Sequence, residues 1–326
     1  MTTPPRLLVI VLNFRTAQMT LRAAEAGLAD MPEGAEMVII DNASGDGSDE
    51  VLAQEIAARG WDKDSRVRLI CSEVNGGFGA GNNIGLRARM SDGSDPAFFY
   101  LLNSDAFPDP GCIQTLLAHL QQTPEAGFVG SHVRGDDDAP HVTAFRFPSV
   151  LGEFEGAART GVFSRLFRDA IVAPPLPTTA TRMDWVAGAS VLMRAEMLDE
   201  IGLFDETFFL YFEETDLCKR AARAGWQGWY LPDAKVVHIG SVSTGMKEWQ
   251  RMPPYWYASR RHYFVKNHGR LYAAAALAAH VAGGMIHRLR CALKGRAPDD
   301  PAHFLRDLVA HGLGLTPRRS VSEDTP

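Results

Sequence analysis

The chain has 326 residues, 46% of them hydrophobic and 22% charged, with a net charge of −6, which suits one large domain or a domain with an appendage. The negative balance provides no global basic field and excludes a general nucleic-acid binder. No run reaches the roughly 18–20 apolar residues of a membrane-spanning helix, and Cys71, Cys112, Cys218 and Cys291 match neither a zinc site nor a disulfide framework.

The first residues lack a charged segment followed by an apolar one, so the chain reads as cytoplasmic. Arg6 to Leu12 is a continuous apolar run, as in a strand buried on both faces. A helix over 16–29 follows, then a strand over Met37 to Ile40 that ends at Asp41. The pattern repeats with a helix over 48–59 closed by Gly60, and a strand over 67–71. A Gly/Asn-rich loop then leads into a helix near 82–89, and a strand over 98–102 ends in Asn103-Ser104-Asp105. This alternation predicts an α/β fold with a mostly parallel sheet and helices on both faces. Ligands in such sheets sit at the carboxyl ends of the strands, where the polar clusters at 13–15, 41–48 and 103–105 fall.

The stretch from 135 to 183, rich in Asp, Pro and Arg, reads as irregular: a lid or acceptor-side loops. Order returns at Trp185 to Met193, with helices over 195–201 and 214–224 and short strands over 229–231 and 235–238. From 255 to 293 the pattern is helical, and the last ten residues read as disordered. The expected division is 1–260 and 261–326.

Several of these pieces carry chemistry. Asp105 with a nearby oxygen donor suits Mg²⁺ or Mn²⁺, although N-S-D is equally a turn or helix cap. Asp41 can accept the imide N–H of uracil or thymine; the plainer alternative is a loop with a cap at Ser48. Asn75 to Gly85 holds five glycines in eleven residues. Its spacing departs from the dinucleotide G-x-G-x-x-G, which argues against an oxidoreductase, and it predicts backbone close to ribose and phosphate at a helix start. Phe209-Leu-Tyr-Phe-Glu-Glu-Thr-Asp216 delivers Glu213, Glu214 and Asp216 to a helix start, where the helix dipole favours acids. Glu213 and Glu214 cannot share one helical face, and one of them can serve as base for an acceptor hydroxyl. His238 ends a strand and is either a structural histidine or a metal or diphosphate contact.

In this order and spacing the motifs Val9 to Phe14, Val38 to Ser44, Asn75 to Gly85, Leu101 to Asp105 and Gly202 to Arg220 resemble the family 2 inverting glycosyltransferases of the GT-A fold. The likeness is nearest to bacterial rhamnosyltransferase-like members and covers about residues 6–265. It implies a GT-A nucleotide-diphospho-sugar transferase domain with a C-terminal helical extension, working in cell-surface polysaccharide synthesis. The donor would be dTDP-rhamnose, with UDP-sugars next, and the acceptor a glycan or lipid-linked saccharide. Nucleotide-sugar contacts would fall on Asn13, Asp41, Asn42, Asn75, Gly77, Asn83, Ser104, Trp185 and Gly188, and the metal, Mg²⁺ or Mn²⁺, on Asp105 and His238. Glu214 would be the base, with Glu213 and Asp216 as rivals. Asn103 and Glu214 depart from the family's usual acids, which keeps a catalytically inactive nucleotide-sugar-binding protein as the alternative. Cations among aromatics in Arg260 to His268 have two readings: an interfacial helix on the inner face of the plasma membrane, or a helix packed on the domain or on a homodimer partner.

Overall fold

A computed structural model describes residues 6–240 and 249–315; Ser241, which follows the His238 strand, and the last ten residues lie outside the described residues. The chain divides into two compact units. The first takes in the chain up to Ala144, Pro175–Glu206 and the stretch that opens at Glu213. The second takes in Phe145–Pro174, Thr207–Phe212 and the C-terminal helices.

The first unit opens with the expected alternation: β1 (Leu7–Asn13), α1 (Ala17–Asp30), β2 (Glu36–Asp41), α2 (Ser48–Ala58), β3 (Val67–Cys71), α3 (Gly77–Leu86) and β4 (Phe98–Asn103). Next come β5 (Ala106–Pro108), α4 (Cys112–Gln122), β6 (Ala126–Arg134) and β7 (Ala144–Phe145), where the chain leaves the unit. After α5 (Val150–Ala158) and α6 (Gly161–Leu166) of the second unit, the chain returns through β8 (Thr181–Arg182), β9 (Trp185–Val186), β10 (Ser190–Arg194) and α7 (Ala195–Ile201). The unit closes with α8 (Glu213–Ala224) and β11 (Gln227–His238). The main sheet runs β3-β2-β1-β4-β10-β6-β11-β5, with β8 beside β11. The pairs β3/β2, β2/β1, β1/β4 and β6/β11 are parallel, and β10 and β5 run antiparallel to their neighbours. Leu7 to Val11 are fully buried, as a central parallel strand requires. The register sets Asn13 opposite Asp41 and Leu12 opposite Asn103, so polar residues from three strands arrive at one edge.

Helix α3 starts inside the glycine run, at Gly77, and not near 82. Its glycines would disfavour a free helix; here they let it lie directly on β1. A Cβ at Gly81 would sit 2.5 Å from Leu12 Cδ1, and one at Gly85 would sit 2.7 Å from Ile10 Cγ2. Gly81 and Gly85 therefore serve packing rather than the phosphate approach the sequence suggested. Ile10 is fully buried and has no room to yield, so Gly85→Ala is expected to cost about 1–3 kcal/mol by overpacking, read as a lower urea midpoint. The two strands expected over 229–231 and 235–238 are one strand, β11. It shifts register between Leu231 and Lys235, around Pro232, which has no N–H for the ladder.

The stretch expected to be irregular contains α5 and α6. Both are too short to show a helical period, and each is capped: Ser149 Oγ accepts from the Gly152 N–H, and Thr160 Oγ1 from the Phe163 N–H. In the second unit the long helical stretch breaks at Gly269, φ 86°, into α9 (Pro254–His268) and α10 (Arg270–Leu293). A further helix, α11 (Phe304–Gly312), follows. Glu153 of α5 ties the unit together: its carboxylate accepts from Arg260 of α9 at 2.7 Å and pairs with His280 Nδ1 of α10 at 2.6 Å. Burial acts to raise the Glu153 carboxyl, but Arg260 and His280 outweigh it and hold the group below its ordinary value. Arg260, Tyr263 and Phe264 are buried, so this face of α9 packs internally and offers no membrane surface.

Candidate functional site

At the carboxyl ends of β1 and β2, Asn13 Nδ2 donates to Asp41 Oδ1 at 2.7 Å and to Ser44 Oγ at 3.1 Å. The Ser44 hydroxyl and N–H both donate to Asp41, at 2.6 and 3.1 Å. Asp41 thus accepts three hydrogen bonds in a buried setting, which fixes its orientation. Two carboxylate oxygens offer about four acceptor positions, so room remains for one more donor.

Asn42 continues this cluster. Its Nδ2 donates to Asn75 Oδ1 at 2.9 Å and to the Gly77 carbonyl at 3.2 Å, and Asn75 Oδ1 also accepts the Gly77 N–H. Gly77 holds φ at +86°, a conformation open to glycine at no steric cost. Gly188 lies against the same loop, since a Cβ there would be 2.9 Å from the Phe78 ring. Trp185, in β9, is half-buried in this unit.

A second cluster forms at the end of β4. Asp105 Oδ1 lies 3.0 Å from His238 Nε2, brought there by the pairing of β11 with β5. Asn103 Nδ2 lies 3.4 Å from the same nitrogen, and the His141 ring centroid is 6.3 Å from that of His238. Thr16 links the two clusters: its hydroxyl donates to Asn13 Oδ1 at 3.3 Å and to Ser104 Oγ at 3.2 Å. Sequence reasoning missed Thr16, Ser44 and His141. Thr16 stands at the N-cap of α1, yet its side chain makes no cap bond, and only the strand-end geometry shows what it does instead.

The acids at the head of α8 separate by environment. Asp216 is fully buried and paired with Arg220 Nε at 3.0 Å. Arg220 also donates to the carbonyls of Ile201, Gly202 and Leu203. Asp216 is a brace for the turn after α7, and its expected standing as a rival base gives way to that role. Asn83 is similar: Nδ2 donates to the Phe204 carbonyl and to Glu206, and Oδ1 accepts the Phe204 N–H. Both of its amide hydrogens are engaged inside the protein, which makes it a holding group for 204–206.

Glu213 is buried and faces α3: its Cβ is 3.6 Å from the position a Cβ would take at Gly79. Glu214 is half-buried. Burial pushes the Glu213 carboxyl well above its ordinary value, and the Glu214 charge adds to this. Burial pushes Glu214 up to about 7. Among the described residues, Glu213 Oε2, Glu214 Oε2 and Asn42 Oδ1 are buried acceptors with no hydrogen-bond donor. Native proteins rarely leave such atoms unmatched, and functional sites are among the exceptions. Polar acceptors lacking a donor are the natural complement of sugar hydroxyls.

The carboxylate and imidazole at Asp105 and His238 form a mixed oxygen and nitrogen donor set that fits Mn²⁺, and Mg²⁺ through its oxygens.

Residues 8–168 match the family model described as Glycosyl transferase family 2, and residues 98–306 match Glycosyl transferase family group 2. The chain is 29% identical over 229 residues to N-acetylglucosaminyl-diphospho-decaprenol L-rhamnosyltransferase of Mycobacterium tuberculosis, covering 64% of this chain and 68% of that protein. It is 26% identical over 166 residues to rhamnosyltransferase WbbL of Escherichia coli K12, covering 50% of this chain and 60% of that protein. Among solved structures it resembles mannosyltransferase PcManGT from Pyrobaculum calidifontis in complex with GDP-Man and Mn²⁺, with TM-score 0.57 and 17% identity over 97% of this chain and 82% of that one. It also resembles GalNAc-T7 with UDP, GalNAc and Mn²⁺, with TM-score 0.59 and 14% identity over 95% of this chain and 55% of that one. At these identities the structural likeness speaks for the GT-A fold.

Proposed function

The chain belongs to glycosyl transferase family 2, and on that footing we propose that it transfers rhamnose from dTDP-rhamnose, with a UDP-hexose as the next candidate, to a hydroxyl of a glycan or lipid-linked saccharide. The observation that carries this reading is the set of buried acceptors on Asn42, Glu213 and Glu214 that lack a donor among the described residues, in the unit that also holds Asp41, Asp105 and His238. Asp41, held by Asn13 and Ser44, has an acceptor position for a pyrimidine imide. Asp105 and His238 would hold a divalent cation, Mg²⁺ or Mn²⁺, whose charge would match the nucleotide diphosphate. Glu214 is the better base of the two glutamates, because Glu213 is buried against α3 while Glu214 is only half-buried. A carboxyl near 7 is poised to take the proton of a hydroxyl attacking the anomeric carbon, and direct attack inverts that carbon.

The relative from Mycobacterium tuberculosis is named for a decaprenol-linked substrate, which favours a lipid-linked saccharide acceptor in polysaccharide synthesis. Among the described residues no helix is long and apolar enough to cross a membrane, and we place the protein in the cytoplasm, working at the inner face of the plasma membrane.

A thermal-shift panel tests the donor. A ligand that binds only the native state raises the melting temperature, so dTDP-rhamnose or a UDP-sugar is expected to stabilise the protein more with Mn²⁺ than without. A shift with NAD alone, or with GDP-mannose above all pyrimidine donors, contradicts the reading.

A further inference from the structure

Helix α10 has two sides of different character. On one side Ala276, Gly283, Gly284 and His287 are buried. A Cβ at Gly283 would lie 2.5 Å from the Phe154 carbonyl, and one at Gly284 would lie 2.9 Å from Leu305. These glycines, which would weaken a free helix, let α10 seat closely against α5 and α11. On the other side Leu271, Ala274, Ala275, Ala278, Ala282, Met285, Leu289, Ala292 and Leu293 are exposed. At 100° per residue they fall within a wedge of about 100°. The stripe carries no polar residue, and Leu271 is 89% and Leu293 79% exposed.

The order of sizes along the stripe is informative. Its N-terminal half is mainly alanine, and its C-terminal half is Met285, Leu289 and Leu293. Turn a second α10 antiparallel about Ala282, and Leu271 meets Leu293, Ala275 meets Leu289, and Ala278 meets Met285 and Ile286. Ala282 meets its own copy. Large side chains then lie over small ones on either side of Ala282, with a leucine pair at each end, which is the self-complementarity a two-fold interface needs. Antiparallel packing also sets opposite helix-dipole ends side by side. The stripe offers on the order of 600–700 Å² a copy, close to the roughly 800 Å² a partner of a standard interface. A lipid surface fits less well. Alanine adds little to membrane partition, and two of the arginines beside the stripe are engaged internally: Arg288 pairs with Asp300, and Arg290 donates to the Ala158 and Arg159 carbonyls.

We infer that the exposed apolar stripe of α10 is the interface of a homodimer, with the two helices antiparallel and crossing at Ala282.

The test uses the full chain. Sedimentation of the wild type at tens of micromolar is expected to give twice the 35.7 kDa chain mass, and Ala282→Arg to give a folded monomer with a cooperative melting transition whose midpoint no longer depends on protein concentration. Register is read by cross-linking on a Cys71→Ser, Cys291→Ser background with diamide as oxidant. Ala282→Cys is expected to cross-link to itself. Leu271→Cys and Leu293→Cys are expected to cross-link when mixed and not when alone. A wild-type monomer at every concentration overturns the inference. So does a dimer that survives Ala282→Arg and gives no Ala282→Cys cross-link. Binding of a monomer to phosphatidylcholine/phosphatidylglycerol vesicles, lost in Ala282→Arg, assigns the stripe to lipid and overturns it too.

Discussion

Glu214→Gln is expected to lower sugar transfer by about 10²–10⁴-fold, the range that a positioned general base contributes, while metal-dependent donor binding persists. Glutamine keeps the shape of the side chain and cannot take the acceptor proton. The same change is expected to raise stability at pH 8. Burial pushes the folded-state carboxyl up to about 7, from an ordinary value of 4.5. Between these values the folded protein holds more protons than the unfolded chain, so stability falls as pH rises through the window. Glutamine carries no such charge and removes the fall. Lower activity together with a higher melting temperature at pH 8 distinguishes a strained catalytic acid from a merely structural one. Transfer at the wild-type rate would remove Glu214 from the mechanism, and a loss confined to Glu213→Gln would move the base by one residue.

Asp105→Asn is expected to have the second large effect. The carboxamide keeps a neutral oxygen but loses the charge that a divalent cation needs. Such a cation is worth several kcal/mol toward the departing diphosphate, and about 1.36 kcal/mol corresponds to each tenfold in rate. Transfer should fall by roughly 10²–10³-fold on that scale. The thermal shift given by Mn²⁺ with donor should shrink with it. Glu214→Gln should keep that shift, so the pair separates metal holding from proton transfer. An Asp105→Asn protein with full Mn²⁺-dependent stabilisation and full activity would place the metal elsewhere.

Much of the sheet was legible because its central strands are buried on both faces and read as unbroken apolar runs. The carboxyl-end clusters at Asp41 and Asp105 followed from the same alternation, since parallel strands deliver their ends to one edge. The limits lie where meaning depends on a neighbour distant in sequence. Gly81 and Gly85 read as a phosphate loop until Leu12 and Ile10 appear beneath them. Asp216 read as a rival base and Asn83 as a nucleotide-sugar contact until Arg220 and the 204–206 segment appear as their partners. Helices α5 and α6 are too short for periodicity to announce them. Arg260 read as part of either an interfacial helix or a packed one, because its partner Glu153 stands 107 residues earlier in the chain. Polar residue types are visible in sequence; which of them a fold has already satisfied is not.

The most direct measurement is the pH dependence of transfer at saturating donor, Mn²⁺ and acceptor. With Glu214 as the base, the rate is expected to rise about tenfold per pH unit on the acid side and to level off near 7, the value to which burial brings that carboxyl. The acid limb should vanish in Glu214→Gln, whose residual rate stays flat. A wild-type rate flat from about pH 5.5 to 8.5, or an acid limb kept by Glu214→Gln, would contradict Glu214 as the base.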